Sequence, residues 1–139
     1  MRHLLKAILL ASLPTGAAAQ GPTGNIIIEL NRAVAIEGAC RLTFLAQNNM
    51  DQDIEQIVFE TVLFTTEGAV DRLTLFDMGN LPAARPRVRE FDMPGLACDG
   101  LGQVLINGVD ACAGDDLDAA TCEGALSPVS RVDGVEVIG

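Results

Sequence analysis

Four cysteines, Cys40, Cys98, Cys112 and Cys122, constrain the fold of this chain more than any other feature of its sequence. An even set of cysteines in an exported chain normally forms structural disulfides. No C-x-x-C pair of the thiol-oxidoreductase kind is present, and the spacings lack the two close pairs of a four-thiolate zinc site. The sequence therefore predicts a disulfide-stapled exported protein.

The direction of the predicted strands suggests which cysteines pair. Cys40 opens one predicted strand, Cys98 lies between two later ones, and Cys112 follows the second of these. If successive strands alternate in direction, Cys40 and Cys98 lie at one end of the domain and Cys112 and Cys122 at the other. We predict the pairs Cys40–Cys98 and Cys112–Cys122, although the sequence alone leaves the two other pairings open.

The N-terminus has the pattern of a secretory signal peptide. A basic head that includes Arg2 and Lys6 precedes an apolar core at residues 7–13 and an A-x-A site that ends at Ala19. The core is too short to span a bilayer, which takes about 20 apolar residues. We predict a Sec-type signal at residues 1–19, cleaved after Ala19, and a periplasmic or secreted mature protein. The alternatives are an uncleaved anchor or a buried helix.

The mature chain would be strongly acidic. All nineteen acidic residues lie after residue 19, whereas the only basic residues there are seven arginines, which gives a net charge of −12. Such a chain repels phosphate backbones and anionic headgroups. Nucleic acid and membrane surfaces are therefore excluded as expected partners.

The mature chain also lacks most catalytic side chains. After residue 19 it has no His, Lys, Tyr or Trp. Nucleophile systems with an imidazole base, Schiff-base chemistry and most transition-metal sites are thereby excluded. We expect no cofactor and no enzymatic activity. The remaining catalytic alternative is a hydrolase that uses only carboxylates, although glycosidases of that kind line their subsites with aromatic side chains that this chain lacks.

Short β-branched and alternating segments, separated by turn signals, predict about seven strands in one domain. The predicted strands span residues 25–30, 41–47, 54–65, 70–76, 85–93, 103–109 and 132–138. Residues 20–24 are expected to form a flexible tether. We predict that residues 25–139 form an all-β, antiparallel β-sandwich of the immunoglobulin-like kind, without the core tryptophan of antibody domains.

Two segments allow more than one interpretation. Residues 54–65 have some helical spacing, but their β-branched density and their apolar residues on both faces favour a central strand. Residues 114–120 predict a single helical turn capped by Asp115. That segment also contains Asp115, Asp116 and Asp118, which are weak candidates for calcium ligands, because the EF-hand pattern is missing. Carboxylates at a helix N-terminus are the simpler explanation of the cluster.

Arg85, Arg87 and Arg89 are spaced to share one face of an edge strand, and Phe91 and Met93 continue that face. Arginine beside an aromatic side chain is typical of binding hot spots. Arg85, Arg87, Arg89 and Phe91 are therefore candidates for a partner-binding stripe. The alternative is that these arginines pair with acidic residues on adjacent strands.

Between Cys40 and Cys112, the segments CRLTFLAQN, ETVLFTTEGAVDRLTLFDMGNLP and RVREFDMPGLAC resemble those of small uncharacterised exported proteins of alphaproteobacteria. The resemblance covers about half of the chain. It implies a periplasmic location and no particular activity.

Taken together, these patterns predict a non-catalytic periplasmic binding or accessory module. Its expected partner is another envelope protein, and one form it could take is a subunit of an envelope complex. The alternatives are the carboxylate-only hydrolase and a calcium-stabilised structural module.

Overall fold

The structure is a computed structural model that describes Gly16 and residues 24–139. Apart from Gly16, the predicted signal peptide lies outside the described residues, and so does most of the predicted tether. No helix in the described part of the chain is long and apolar enough to cross a membrane.

Strands dominate the described chain. They are β1 (Ile26–Ile36), β2 (Ala39–Asn48), β3 (Ile54–Thr65), β4 (Val70–Leu81), β5 (Arg87–Pro94), β6 (Leu101–Ala113), β7 (Leu126–Ser130) and β8 (Glu136–Ile138). A 3₁₀ turn at Cys98–Gly100 precedes β6, and a short helix, α1 (Ala119–Gly124), follows it. The prediction of an all-β chain is confirmed.

The strands form two four-stranded sheets that pack face to face. The first sheet has the order β5-β2-β1-β7 and the second the order β4-β3-β6-β8. The prediction of a purely antiparallel arrangement is wrong, because β7 runs parallel to β1 and β8 runs parallel to β6. After β6 the chain crosses to the first sheet through α1 and then returns to the second, and parallel neighbours need such crossover connections.

The central strand β3 begins and ends where the sequence predicts. It pairs antiparallel with β4 on one side and with β6 on the other. The helical interpretation of residues 54–65 is therefore wrong, and the density of β-branched residues is the better guide.

Several other boundaries differ from the prediction. β4 continues from residue 76 to Leu81, which is fully buried, so that part of the predicted loop at residues 79–84 is strand. The predicted helical turn at residues 114–120 lies too early, since α1 begins at Ala119 and its cap is Asp118. β7 was not predicted, because Pro128 interrupts its pattern. Proline is compatible with the edge position that β7 occupies.

The core lies between the two sheets. Phe44 from β2 and Phe91 from β5 meet Phe76 from β4 across the interface, and the rings of Phe76 and Phe91 stack with their centroids 4.3 Å apart. Stacked aromatic pairs add about 0.5–1.5 kcal/mol beyond the burial of their area. This cluster joins the β4 edge of one sheet to the β5 side of the other.

Both disulfides join the cysteines that the strand directions predict. Cys40 at the start of β2 is bonded to Cys98 in the 3₁₀ turn after β5, and Cys112 at the end of β6 is bonded to Cys122 in α1. All four cysteines are therefore paired. Two structural disulfides indicate an oxidising, extracytoplasmic environment.

Candidate interaction surface

The predicted arginine stripe lies on β5, which is an edge strand as expected. Arg87, Arg89, Phe91 and Met93 alternate with more exposed residues, so they share one face of the strand. That face is directed toward the second sheet, whereas the prediction placed it toward a partner. Arg85 precedes the strand and is exposed.

Arg89 bridges the two sheets. Its Nε donates to the carbonyl oxygen of Met78 at 2.7 Å, and its Nη2 donates to that of Asn80 at 3.3 Å. Both acceptors lie in β4, and Nη1 donates to the carbonyl oxygen of Val88 on its own strand. Among the described residues, no ion pair involves Arg85, Arg87 or Arg89. The alternative of pairing with acidic side chains is therefore wrong for these three arginines, and Arg89 binds backbone carbonyls instead.

Pairing of arginine with acid occurs on the opposite face of β5. Arg41 on β2 donates to both carboxylate oxygens of Asp92, at 2.7 and 2.9 Å, and Thr43 donates to Glu90. The hydrogen bond and charge of Asp92 raise the pKa of Arg41, and the hydrogen bond from Arg41 lowers the pKa of Asp92. This exposed pair joins residues that are direct partners in the register of β2 against β5.

The calcium candidates do not converge. Asp118 caps α1 by accepting a 2.7 Å hydrogen bond from the backbone N–H of Thr121. Hydrogen bonds from the Thr121 side chain and backbone lower the pKa of Asp118. Asp115 and Asp116 lie exposed in the loop before α1. Within residues 24–139, no group of three or more acidic, Cys or His side chains is arranged to hold a metal ion.

Sequence reasoning missed an apolar row across the outer face of the second sheet. In the strand register, Leu73 of β4 lies beside Val62 of β3, Val62 beside Leu105 of β6, and Leu105 beside Ile138 of β8. Their inward neighbours, such as Leu63 and Val104, fill the core. The row thus crosses all four strands on the side turned away from the core.

Further apolar residues widen this row into a patch. Val70 pairs with Phe64, and Leu75 lies two residues beyond Leu73 on the same face of β4. We define the outer patch as Val62, Phe64, Val70, Leu73, Leu75, Leu105 and Ile138. Val70, Leu73, Leu75 and Ile138 are 62, 61, 54 and 41% exposed, whereas Val62 at the centre is only 7% exposed. The signal in the sequence is the presence of apolar residues on both faces of residues 54–65, which is typical of a central strand but also of a strand with an exposed apolar face.

Carboxylates surround the outer patch. Glu60, Asp77 and Glu136 lie on the same face and are oriented by hydrogen bonds from Asn107, Gln56 and Gln103, respectively. Glu60 also lines a shallow cleft with Asp110 and Glu123. The rim of the patch is therefore acidic.

The arginines are distributed in the opposite way. The strands of the second sheet contain six acidic residues and one arginine, Arg72, which is paired with Asp71 at 2.6 Å. The strands of the first sheet contain four arginines and three acidic residues. The negative charge of the strands is thus concentrated on the sheet that carries the outer patch.

Comparison of the chain with protein-family models, with curated proteins and with solved structures found no match.

Proposed function

We propose that this protein is a non-catalytic periplasmic module that docks another envelope protein on its outer patch, as an accessory protein or as a subunit of an envelope complex. The outer patch carries this proposal. Four of the six large apolar side chains that are exposed in the described chain belong to it, and they lie together on one face. Isolated exposed apolar residues are ordinary, whereas a contiguous patch with a polar rim marks an interaction site.

The physical basis of docking is the removal of this apolar area from water. Burial contributes about 25 cal/mol per Å² of apolar surface. Burial of Leu73 and Leu75 would contribute most to the free energy of docking, because more than half of each side chain is exposed. Both also project from a strand that is already held by β3. The acidic rim would add selectivity and speed of encounter more than affinity.

The strand order supports an immunoglobulin-like interpretation of the fold. β1, β2 and β5 are neighbours in one sheet, whereas β3, β4 and β6 are neighbours in the other. Constant-type immunoglobulin sandwiches likewise place their first, second and fifth strands in one sheet and their third and sixth strands in the other. β4, which lies in the second sheet, and β7 and β8, which are added in parallel, depart from that pattern. Folds of this kind commonly serve as binding modules.

The export part of the proposal rests on the sequence and the disulfides. A signal peptide at residues 1–19 would deliver the chain to a compartment in which Cys40–Cys98 and Cys112–Cys122 form and persist. An intact mass equal to that of residues 20–139 for the periplasmic protein would support this step, and a mass that retains residues 1–19 would contradict it.

The docking function is tested by the size of the complex in a fresh envelope extract. We expect the wild-type protein to elute from a size-exclusion column with an apparent mass larger than that of its monomer. A Leu73→Glu variant should elute as a monomer. Val88→Glu is the matched control, because Val88 is 58% exposed but lies on β5 of the other sheet. Monomeric elution of the wild type, or equal loss of the complex in both variants, would contradict the proposal.

A further inference from the structure

We propose that the occupant of the outer patch is an extended segment of a partner protein, which adds as a fifth strand to the free edge of β4 and carries arginine or lysine beside its apolar side chains. This inference rests on the proposed docking function and specifies the partner's chemistry and its mode of binding. The edge of β4, the side chains next to that edge and the charge of the sheet support it independently.

The edge of β4 is partly closed and partly open. β4 is the outermost strand of its sheet, so half of its backbone N–H and C=O groups point away from β3. At the C-terminal end of the strand, Arg89 covers this edge by donating to the carbonyls of Met78 and Asn80. From Arg72 to Phe76, no other strand of the described chain lies alongside. This segment is the free edge.

The free edge differs from the other edges of the two sheets in its side chains. Natural edge strands resist pairing through charges, proline or short length. β5 begins directly after Pro86, ends at Pro94 and carries four charged residues between them. β7 contains Pro128, and β8 has only three residues. From Leu73 to Phe76, β4 has no charge and no proline. Charged residues therefore only flank this four-residue stretch, and none of the other three edge strands has as long a stretch without charge or proline.

Strand addition at this edge would extend the apolar row. Side chains on neighbouring strands lie about 4.5–5.5 Å apart when they are directly opposite. A strand beside β4 would therefore place alternate side chains against Leu73 and Leu75, on the same face as Val62 and Leu105. The partner segment is expected to be apolar at alternate positions. Main-chain hydrogen bonds would supply affinity and these side chains specificity.

The charge of the sheet sets the sign of the partner's flanking residues. Asp77 follows Leu75 on the outward face of β4, and Glu60 lies opposite Leu75 on β3. Arg72 is the only basic residue on the strands of this sheet, and Asp71 already neutralises it. Two outer patches placed face to face would bring these carboxylates together, which disfavours a second copy of this chain. A segment with basic residues beside its apolar positions complements the site.

Synthetic peptides test the mode of binding on the mature, disulfide-bonded protein. The probe is a peptide of about eight residues, a typical strand length, in which Val and Leu alternate with Thr and arginine stands at both ends. One control has glutamate in place of the arginines. Two further controls carry N-methyl groups on alternate amides, in one phase or the other, so that only one phase blocks the edge that faces β4. Binding is measured by fluorescence anisotropy at two salt concentrations.

We expect the arginine peptide to bind, to weaken with added salt, and to lose binding in one methylation phase but not in the other. Leu73→Gln should weaken the binding of this peptide about tenfold or more, because the peptide side chain opposite position 73 then loses its apolar contact. Val88→Gln should leave the binding unchanged. Equal binding of the glutamate peptide, or of both methylated peptides, would overturn the inference. So would self-association of the protein through Leu73 in the absence of peptide.

The outcomes separate this inference from the proposed function. If no peptide binds but the envelope complex still depends on Leu73, the patch docks a partner in another way and the strand-addition model is wrong. If the complex does not depend on Leu73, the docking function itself is wrong.

Discussion

Arg89 illustrates how a residue chosen as a binding candidate can instead hold the sandwich together. It reaches from β5 to two backbone carbonyls of β4. It thereby covers the C-terminal end of the β4 edge. Gly79 lies between these acceptors with a φ of +65°, and a Cβ there would stand 3.4 Å from the Arg89 guanidinium. That distance is ordinary van der Waals contact, so the position favours glycine because of its positive φ.

Replacing Arg89 with Gln should destabilise the protein. Hydrogen bonds from a charged donor contribute about 1.5–3 kcal/mol each, and part of this is lost to solvent competition because Arg89 is only partly buried. We expect a loss of about 1–2 kcal/mol in the free energy of unfolding, measured by urea denaturation. Arg87→Gln is the matched control, since Arg87 bonds only to the neighbouring Pro86 carbonyl. A larger effect at Arg87 than at Arg89 would contradict the bridging role.

Thr61 is the one buried polar side chain in the described chain whose oxygen has no hydrogen-bond partner. It is fully buried in β3, next to Ile106 of β6. An unsatisfied buried hydroxyl costs about 1–3 kcal/mol, and valine has nearly the same shape. Thr61→Val should therefore raise stability by about 1 kcal/mol in urea denaturation, and a loss of stability would show that the hydroxyl is satisfied in solution.

At the scale of elements, periodicity in the sequence predicts which residues share a face of a strand. It does not predict whether that face is directed toward the other sheet or toward solvent. The alternation of Arg87, Arg89 and Phe91 correctly predicts that they share one face, but that face is directed toward β4, where Phe91 stacks on Phe76. The strands β3 and β6 were recognisable from local β-branched density. The short strand β7 was not, because its pairing with β1 is non-local and its own residues carry little strand signal.

The helix α1 shows the same limit, since its cap lies three residues after the predicted one. Asp118 accepts hydrogen bonds from Thr121, which lower its pKa and make the ionised form the one that stabilises the helix. That stabilisation is complete above the pKa of an unfolded aspartate and is lost as the pH falls below about 4, through the lowered folded pKa.

Asp118→Asn should therefore reduce the loss of melting temperature between neutral and acidic pH. Asparagine still caps the helix but does not titrate. At neutral pH, Asp118→Asn should therefore lower the melting temperature less than Asp118→Ala does. Asp115→Asn is the control, because Asp115 caps nothing in the structure. An unchanged pH dependence in Asp118→Asn would contradict the capping role.

At the scale of the whole molecule, the two disulfides constrain different parts of the chain. Cys40–Cys98 spans 58 residues of sequence and joins β2 to the turn after β5, whereas Cys112–Cys122 spans 10 and ties α1 to β6. Loop-closure entropy assigns about 4 kcal/mol to the first and about 3 kcal/mol to the second. The double variant Cys40→Ala, Cys98→Ala should therefore be less stable in urea denaturation than the double variant Cys112→Ala, Cys122→Ala. The reverse order would show that strain or packing outweighs chain entropy.

Charge is also organised at this scale. The sheet with the outer patch carries most of the acidic residues of the strands, and the other sheet carries most of the arginines. Composition reveals the net charge, but only the division of strands between sheets reveals this separation. The full extent of the outer patch is hidden from sequence reasoning for the same reason, since its members come from four strands.

The central claim is that the outer patch is the docking site, and site-specific photo-crosslinking in living cells tests it most directly. A photoreactive residue would be placed in turn at each large exposed apolar position. These positions are Val70, Leu73, Leu75 and Ile138 on the outer patch, and Val88 and Val129 elsewhere. We predict one discrete protein adduct, shared by the patch positions and absent from the other two. Adducts at Val88 and Val129 with none at Leu73 and Leu75 would contradict the claim.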